Sequence, residues 1–125
     1  MGNPQIHNVN VADQRVLTSP ATQRDMIKVP EAIYEFVSAS RKTIEQIIDR
    51  QDHRLMLVVG PCSIHDVDAA KDYANRLKKL ADEVSETLFI VMRVYFEKPR
   101  TTTGWKGLIN DPYLNDSFKI SEGLH

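Results

Sequence analysis

Apolar and polar positions change their spacing several times along the chain, and each change marks an element. Residues 1–29 are polar, with Val9, Val11, Val16 and Leu17 at no sustained period and turn formers at Asn3-Pro4 and Ser19-Pro20. They read as an N-terminal arm, either a disordered tail or a segment docked on something larger. From Pro30, the residues Ile33, Phe36, Val37, Ile44, Ile47 and Ile48 fall at helical spacing, opposite Glu31, Glu35, Arg41, Lys42, Glu45 and Asp49. That predicts an amphipathic helix of about five turns, opened by a proline whose missing N–H costs nothing in a first turn and closed by Gln51-Asp52-His53.

Leu55-Met56-Leu57-Val58-Val59 is a continuous apolar run ending at Gly60-Pro61. No polar residue alternates, so it reads as a strand buried on both faces, as in a parallel sheet. Ser63, three residues before Asp66, has the spacing of a capping box, and Val67, Ala70, Ala74, Leu77, Ala81 and Val84 then form one helical stripe. Leu88 to Tyr95 reads as a second strand, apolar except at Arg93. Strand, helix and strand make a βαβ unit with parallel strands. A loop rich in Gly, Pro, Thr and Asn follows, and a further helix is expected to begin near Asp116 or Ser117.

Parallel strands exit at one end of a sheet, which is where α/β folds bind ligands. The topology therefore brings Gly60-Pro61-Cys62-Ser63 beside Glu97-Lys98-Pro99-Arg100-Thr101. Arg93 in an apolar strand needs an anion, either a structural carboxylate or a bound carboxylate or phosphate. Lys98, Arg100 and Lys106 with Thr101, Thr102 and Thr103 suit a phosphorylated or carboxylated small molecule, or else form a solvated basic loop. Cys62 is open to three readings: nucleophile, metal ligand or plain packing. His65 nearby favours the ligand, but a complete site needs three or four donors and no other close cluster offers them.

Composition adds limits. The chain has 125 residues, 42% hydrophobic and 26% charged, with a formal net charge of -1. A near-neutral chain argues against nucleic acid or an anionic membrane as the main partner. No apolar run approaches the roughly 18 to 20 residues of a membrane helix, and the first residues lack the basic start and apolar core of a signal peptide. One cysteine excludes an intramolecular disulfide framework and fits a reducing compartment, so the cytoplasm is the expected location.

Two stretches carry a family resemblance. Leu57-Val58-Val59-Gly60-Pro61-Cys62-Ser63-Ile64-His65-Asp66 is one; Val91 to Thr102, running on through Gly104-Trp105-Lys106-Gly107-Leu108-Ile109-Asn110-Asp111-Pro112, is the other. Together they closely resemble class I 3-deoxy-D-arabino-heptulosonate 7-phosphate (DAHP) synthase of the microbial, feedback-regulated type. The resemblance implies condensation of phosphoenolpyruvate with erythrose 4-phosphate to DAHP and phosphate, the first step of the shikimate pathway to aromatic amino acids. It implies a (β/α)8 TIM barrel with an N-terminal helical extension, a divalent metal of the Mn, Fe, Co or Zn class, an aromatic amino acid inhibitor and a homo-oligomer. By matched motif, Cys62 resembles the cysteine ligand of the metal. Arg93 and Lys98 resemble phosphoenolpyruvate contacts, with Lys98 also assisting proton transfer, and the segment Lys98, Pro99, Arg100 and Thr101 resembles the receiver of erythrose 4-phosphate.

The family's remaining metal ligands come from later strands, and a barrel takes about 250 residues. The chain therefore reads as an arm over 1–29 and, over 30–125, an extension helix plus the first two strands of an incomplete barrel. By itself it is expected to make no DAHP and to hold metal poorly. The competing readings are a non-catalytic fragment that docks on a full-length synthase and, more weakly, a small α/β phosphate binder.

Overall fold

The computed structural model describes residues 9–11, 14–98 and 103–125. The elements run α1 (Pro20–Met26), α2 (Glu31–Ile48), β1 (Leu55–Val59), α3 (Val67–Glu83), β2 (Leu88–Met92) and α4 (Ile120–Gly123). β1 and β2 pair in parallel from Leu55 with Leu88 to Val59 with Met92, joined by α3. The βαβ reading from periodicity is thus what the chain adopts. α3 lies against β2 and α2 against β1.

Four local expectations are corrected. The arm holds a helix, α1: Ser19 caps it by accepting from Thr22 N–H at 3.2 Å, with Pro20 in the first turn. The side chain of Gln23 then donates to the Leu124 carbonyl at 3.1 Å, tying α1 to the other end of the chain. The cap of α3 is Asp66 rather than Ser63; its carboxylate accepts from Ala69 N–H at 2.9 Å. β2 stops at Met92 because Pro61 has no N–H with which β1 could continue the ladder past the Arg93 N–H to Val59 carbonyl bond. The last helix begins at Ile120, not near Asp116. Leu114, Asp116 and Phe118 all take positive φ of 48–58°, and such alternation cannot start a right-handed helix.

The strands are not buried on both faces within this chain. Ile64 is the one buried large hydrophobic among the described residues, and Leu55 is 70% exposed. Two strands with a helix against each leave sheet surface and edges uncovered. Along α3 the expected stripe faces inward at Ala70, Ala74, Leu77, Ala81 and Val84, whereas Val67 stays exposed.

At the start of β1 the register is pinned from outside the ladder. The Arg54 guanidinium donates to both Asp52 carboxylate oxygens and to the Ser85 carbonyl, and it lies 5.4 Å from the Phe89 ring centre. Leu55 N–H donates to the Thr87 carbonyl. These contacts hold the turn after α3 against the head of β1, so the two strand exits line up at the far end. The hydrogen bonds from Arg54 keep the Asp52 carboxyl at about 2, below its ordinary 3.8.

Candidate functional site at the strand exits

β1 and β2 leave the sheet side by side, and backbone bonds stitch the exits together. Arg93 N–H donates to the Val59 carbonyl at 2.6 Å and Ile64 N–H to the Tyr95 carbonyl at 2.9 Å. Gly60 makes the approach possible. It sits at φ +153°, and a Cβ there would lie 2.6 Å from the Arg93 carbonyl oxygen.

Arg93 is exposed just past the end of β2, not inside it. Its Nε and Nη2 both donate to the Pro61 carbonyl, at 3.1 and 2.9 Å, and its guanidinium carbon is 5.9 Å from the Tyr95 ring centre. Among the described residues Arg93 has no structural carboxylate partner, and a neutral carbonyl orients this cation. The remaining guanidinium N–H donors have no partner among the described residues, and the charge is left without a counter-ion there. A cation oriented but not neutralised is suited to a carboxylate or phosphate.

Pro61 also precedes Cys62, so the carbonyl that anchors Arg93 belongs to the peptide unit that leads into Cys62. Cys62 is free and exposed, and Ser63 and Ile64 behind it are buried. His65 is exposed beside them. Among the described residues no group of three or more His, Cys, Asp and Glu could hold a metal ion. One thiol does not make a metal site, so these residues fit at most a single position in one.

Lys98 follows a short return of the chain. Glu97 bridges Gly107 antiparallel, and Lys98 N–H donates to the Lys106 carbonyl at 2.7 Å. A Cβ at Gly107, φ +126°, would overlap the Phe96 carbonyl oxygen, so the bridge requires glycine. The Lys98 ammonium stands 5.9 Å from the Trp105 ring centre, and the indole N–H donates to the Asp111 carbonyl at 2.7 Å. Pro99, Arg100 and Thr101, expected to receive the second substrate, lie outside the described residues.

Asp111 had no expected role. It is 2% exposed; Oδ2 accepts from Asp116 N–H at 3.0 Å and Oδ1 has no partner among the described residues. Nothing in its local sequence separates it from an ordinary turn aspartate. Outside the exits, a recess of about 410 Å³ at the head of β1 is lined by Asp52, Arg54, His53 and Glu86, whose charged pair is already matched.

The sequence profile of the DAHP synthetase I family matches residues 25–125. The chain belongs to this family. It is 48% identical over 124 residues to the Tyr-sensitive phospho-2-dehydro-3-deoxyheptonate aldolase of Escherichia coli (strain K12), covering 99% of this chain and 35% of that protein. The tyrosine-inhibited enzyme of Schizosaccharomyces pombe is 51% identical over 108 residues, 86% of this chain and 29% of that one. The solved structure of the Francisella tularensis SCHU S4 aldolase superposes with a TM-score of 0.84 at 46% identity, over 91% of this chain and 33% of that one. The chain thus spans about a third of the length of these DAHP synthase relatives. No helix among the described residues is long and apolar enough to cross a membrane.

Proposed function

We propose that this chain supplies the phosphoenolpyruvate-binding strand exits of a DAHP synthase, which condenses phosphoenolpyruvate with erythrose 4-phosphate to DAHP and phosphate. The observation that carries the reading is Arg93: a guanidinium oriented by the Pro61 carbonyl, with no carboxylate beside it and donors to spare among the described residues. Arg93 holds the carboxylate or phosphate of phosphoenolpyruvate in a forked contact, and Lys98 adds a point charge and assists proton transfer. Both substrates are anionic, so cations between them offset a repulsion of about 1 to 4 kcal/mol per charge pair at close range. Fixing the enol carbon against the aldehyde supplies the proximity that a two-substrate condensation needs. Pro99, Arg100 and Thr101 are the proposed erythrose 4-phosphate contacts.

The resemblance of the motif around Cys62 supports the reading of its thiolate as one donor to a divalent metal. That metal supplies Lewis acidity when bound, and its other donors come from outside the described residues. The steps assigned to this chain are binding and orientation by Arg93 and Lys98. The full barrel, an aromatic amino acid inhibitor like those named for the Tyr-sensitive and Phe-sensitive relatives, a homo-oligomer and a cytoplasmic location belong to the same proposal.

The test is a complete synthase in which residues 1–125 replace the matching stretch of the Tyr-sensitive Escherichia coli enzyme. Colorimetric DAHP formation with manganese is expected from the hybrid and is expected to fall steeply with Arg93→Leu or Lys98→Met. A hybrid that keeps its KM for phosphoenolpyruvate in both variants would refute the assignment.

A further inference from the structure

We propose that Trp105 is a positioning residue for Lys98, holding its ammonium over the indole face so that the charge is already aimed when the anionic substrate arrives. The inference rests on the reading of Lys98 as a phosphoenolpyruvate contact and extends it to a residue to which neither motif nor spacing gave a role.

Lys98 carries a flexible four-carbon stem whose rotamer freedom is lost if a ligand must immobilise it. Three contacts restrict it beforehand. Its backbone is fixed by the bond to the Lys106 carbonyl and by the Glu97–Gly107 bridge. Its ammonium lies within cation–π range of Trp105, at 5.9 Å. The ring is fixed in turn by the 2.7 Å bond from its N–H to the Asp111 carbonyl.

Asp111 is a firm anchor for the ring. Its N–H donates to the Gly107 carbonyl, and its Oδ2 accepts from Asp116 in a segment where three non-glycine residues take positive φ. The buried aspartate thus holds the indole, and the indole holds the lysine. A cation–π contact also leaves the ammonium its charge and its hydrogens, whereas a carboxylate partner would neutralise the charge needed for the substrate. Arg93 shows the same arrangement over Tyr95. Among the described residues both proposed substrate cations lie against aromatic faces and neither pairs with an acid.

The experiment uses the hybrid synthase with phosphoenolpyruvate as the varied substrate and compares Trp105→Leu, Trp105→Phe, Lys98→Met and the Trp105→Leu/Lys98→Met pair. Trp105→Leu is expected to raise KM for phosphoenolpyruvate roughly 5- to 30-fold, the fold-change of a 1–2 kcal/mol contact. Trp105→Phe, which keeps an aromatic face but loses the indole N–H that anchors the ring, is expected to recover only part of that loss. In the Lys98→Met background, Trp105→Leu should add nothing. The thermal midpoint of each variant separates a folding defect from a positioning one. Trp105→Leu with unchanged KM, or with the same effect when Lys98 is absent, overturns the positioning role alone. Lys98→Met with unchanged KM overturns the reading of Lys98 and the role of Trp105 with it.

Discussion

Expressed as a free polypeptide, residues 1–125 should form a loosely held molecule, and the size of the deficit follows from its uncovered surface. Leu55, Met56, Leu57 and Val58 of β1 are 40–70% exposed. Complete burial of such side chains is worth about 1.5–3 kcal/mol each, so roughly half of it, about 1 kcal/mol per residue, is unrealised. Ile33, Phe36, Val37 and Ile48 of α2 are exposed to a similar degree and add a comparable amount. The two elements together forgo about 8 kcal/mol, as much as the entire net stability of many domains. Urea titration followed by circular dichroism is expected to give a broad transition at low denaturant, with strong binding of an apolar dye beforehand. A single sharp transition with an m of about 1–3 kcal/mol/M and no dye binding would refute the reasoning.

Other consequences concern single residues, read in the hybrid synthase unless stated. Gly60→Ala forces a Cβ onto the Arg93 carbonyl at a backbone angle L residues avoid, a strain of about 1–3 kcal/mol; calorimetry should show a thermal midpoint lower by several degrees, with a raised KM for phosphoenolpyruvate. Asp52 titrates at about 2 because Arg54 holds it, so its contribution is complete above its ordinary 3.8 and is lost as pH falls through about 2. An NMR titration of the Asp52 carboxyl should return to the ordinary carboxylate range in Arg54→Met. Asp111→Ala removes the acceptor for Asp116 N–H, and amide exchange in 114–118 should accelerate. Cys62→Ser should raise the manganese concentration needed for half-maximal activity while leaving KM for erythrose 4-phosphate nearly unchanged.

The elements with strong periodicity were legible in the sequence. α2, β1 and α3 announce themselves through apolar spacing, and the βαβ topology follows from two all-apolar strands around a helical stripe. Short elements were not. α1 has no apolar period, and its signal is the Ser19-Pro20 cap-and-first-turn pair, which also reads as a turn. The end of β2 depended on a missing N–H in the other strand, and so could not be read from Leu88–Tyr95 alone. The burial of Asp111 depends on how the loop folds back on itself, which residue types do not encode. At the site, topology was enough to bring the exit after β1 beside the exit after β2, where Arg93 meets the Pro61 carbonyl. It did not reveal that a proline carbonyl, not an acid, would orient the guanidinium.

That last point carries the functional account, and equilibrium binding tests it most directly. Calorimetric titration of phosphoenolpyruvate into the hybrid synthase should give an affinity that Arg93→Leu lowers by roughly 10- to 150-fold, the loss of a charged hydrogen-bonded contact of about 1.5–3 kcal/mol. Arg93→Lys, which keeps the charge but not the fork, should fall between. An Arg93→Leu protein that retains its thermal midpoint and binds phosphoenolpyruvate as tightly as its parent would contradict the account.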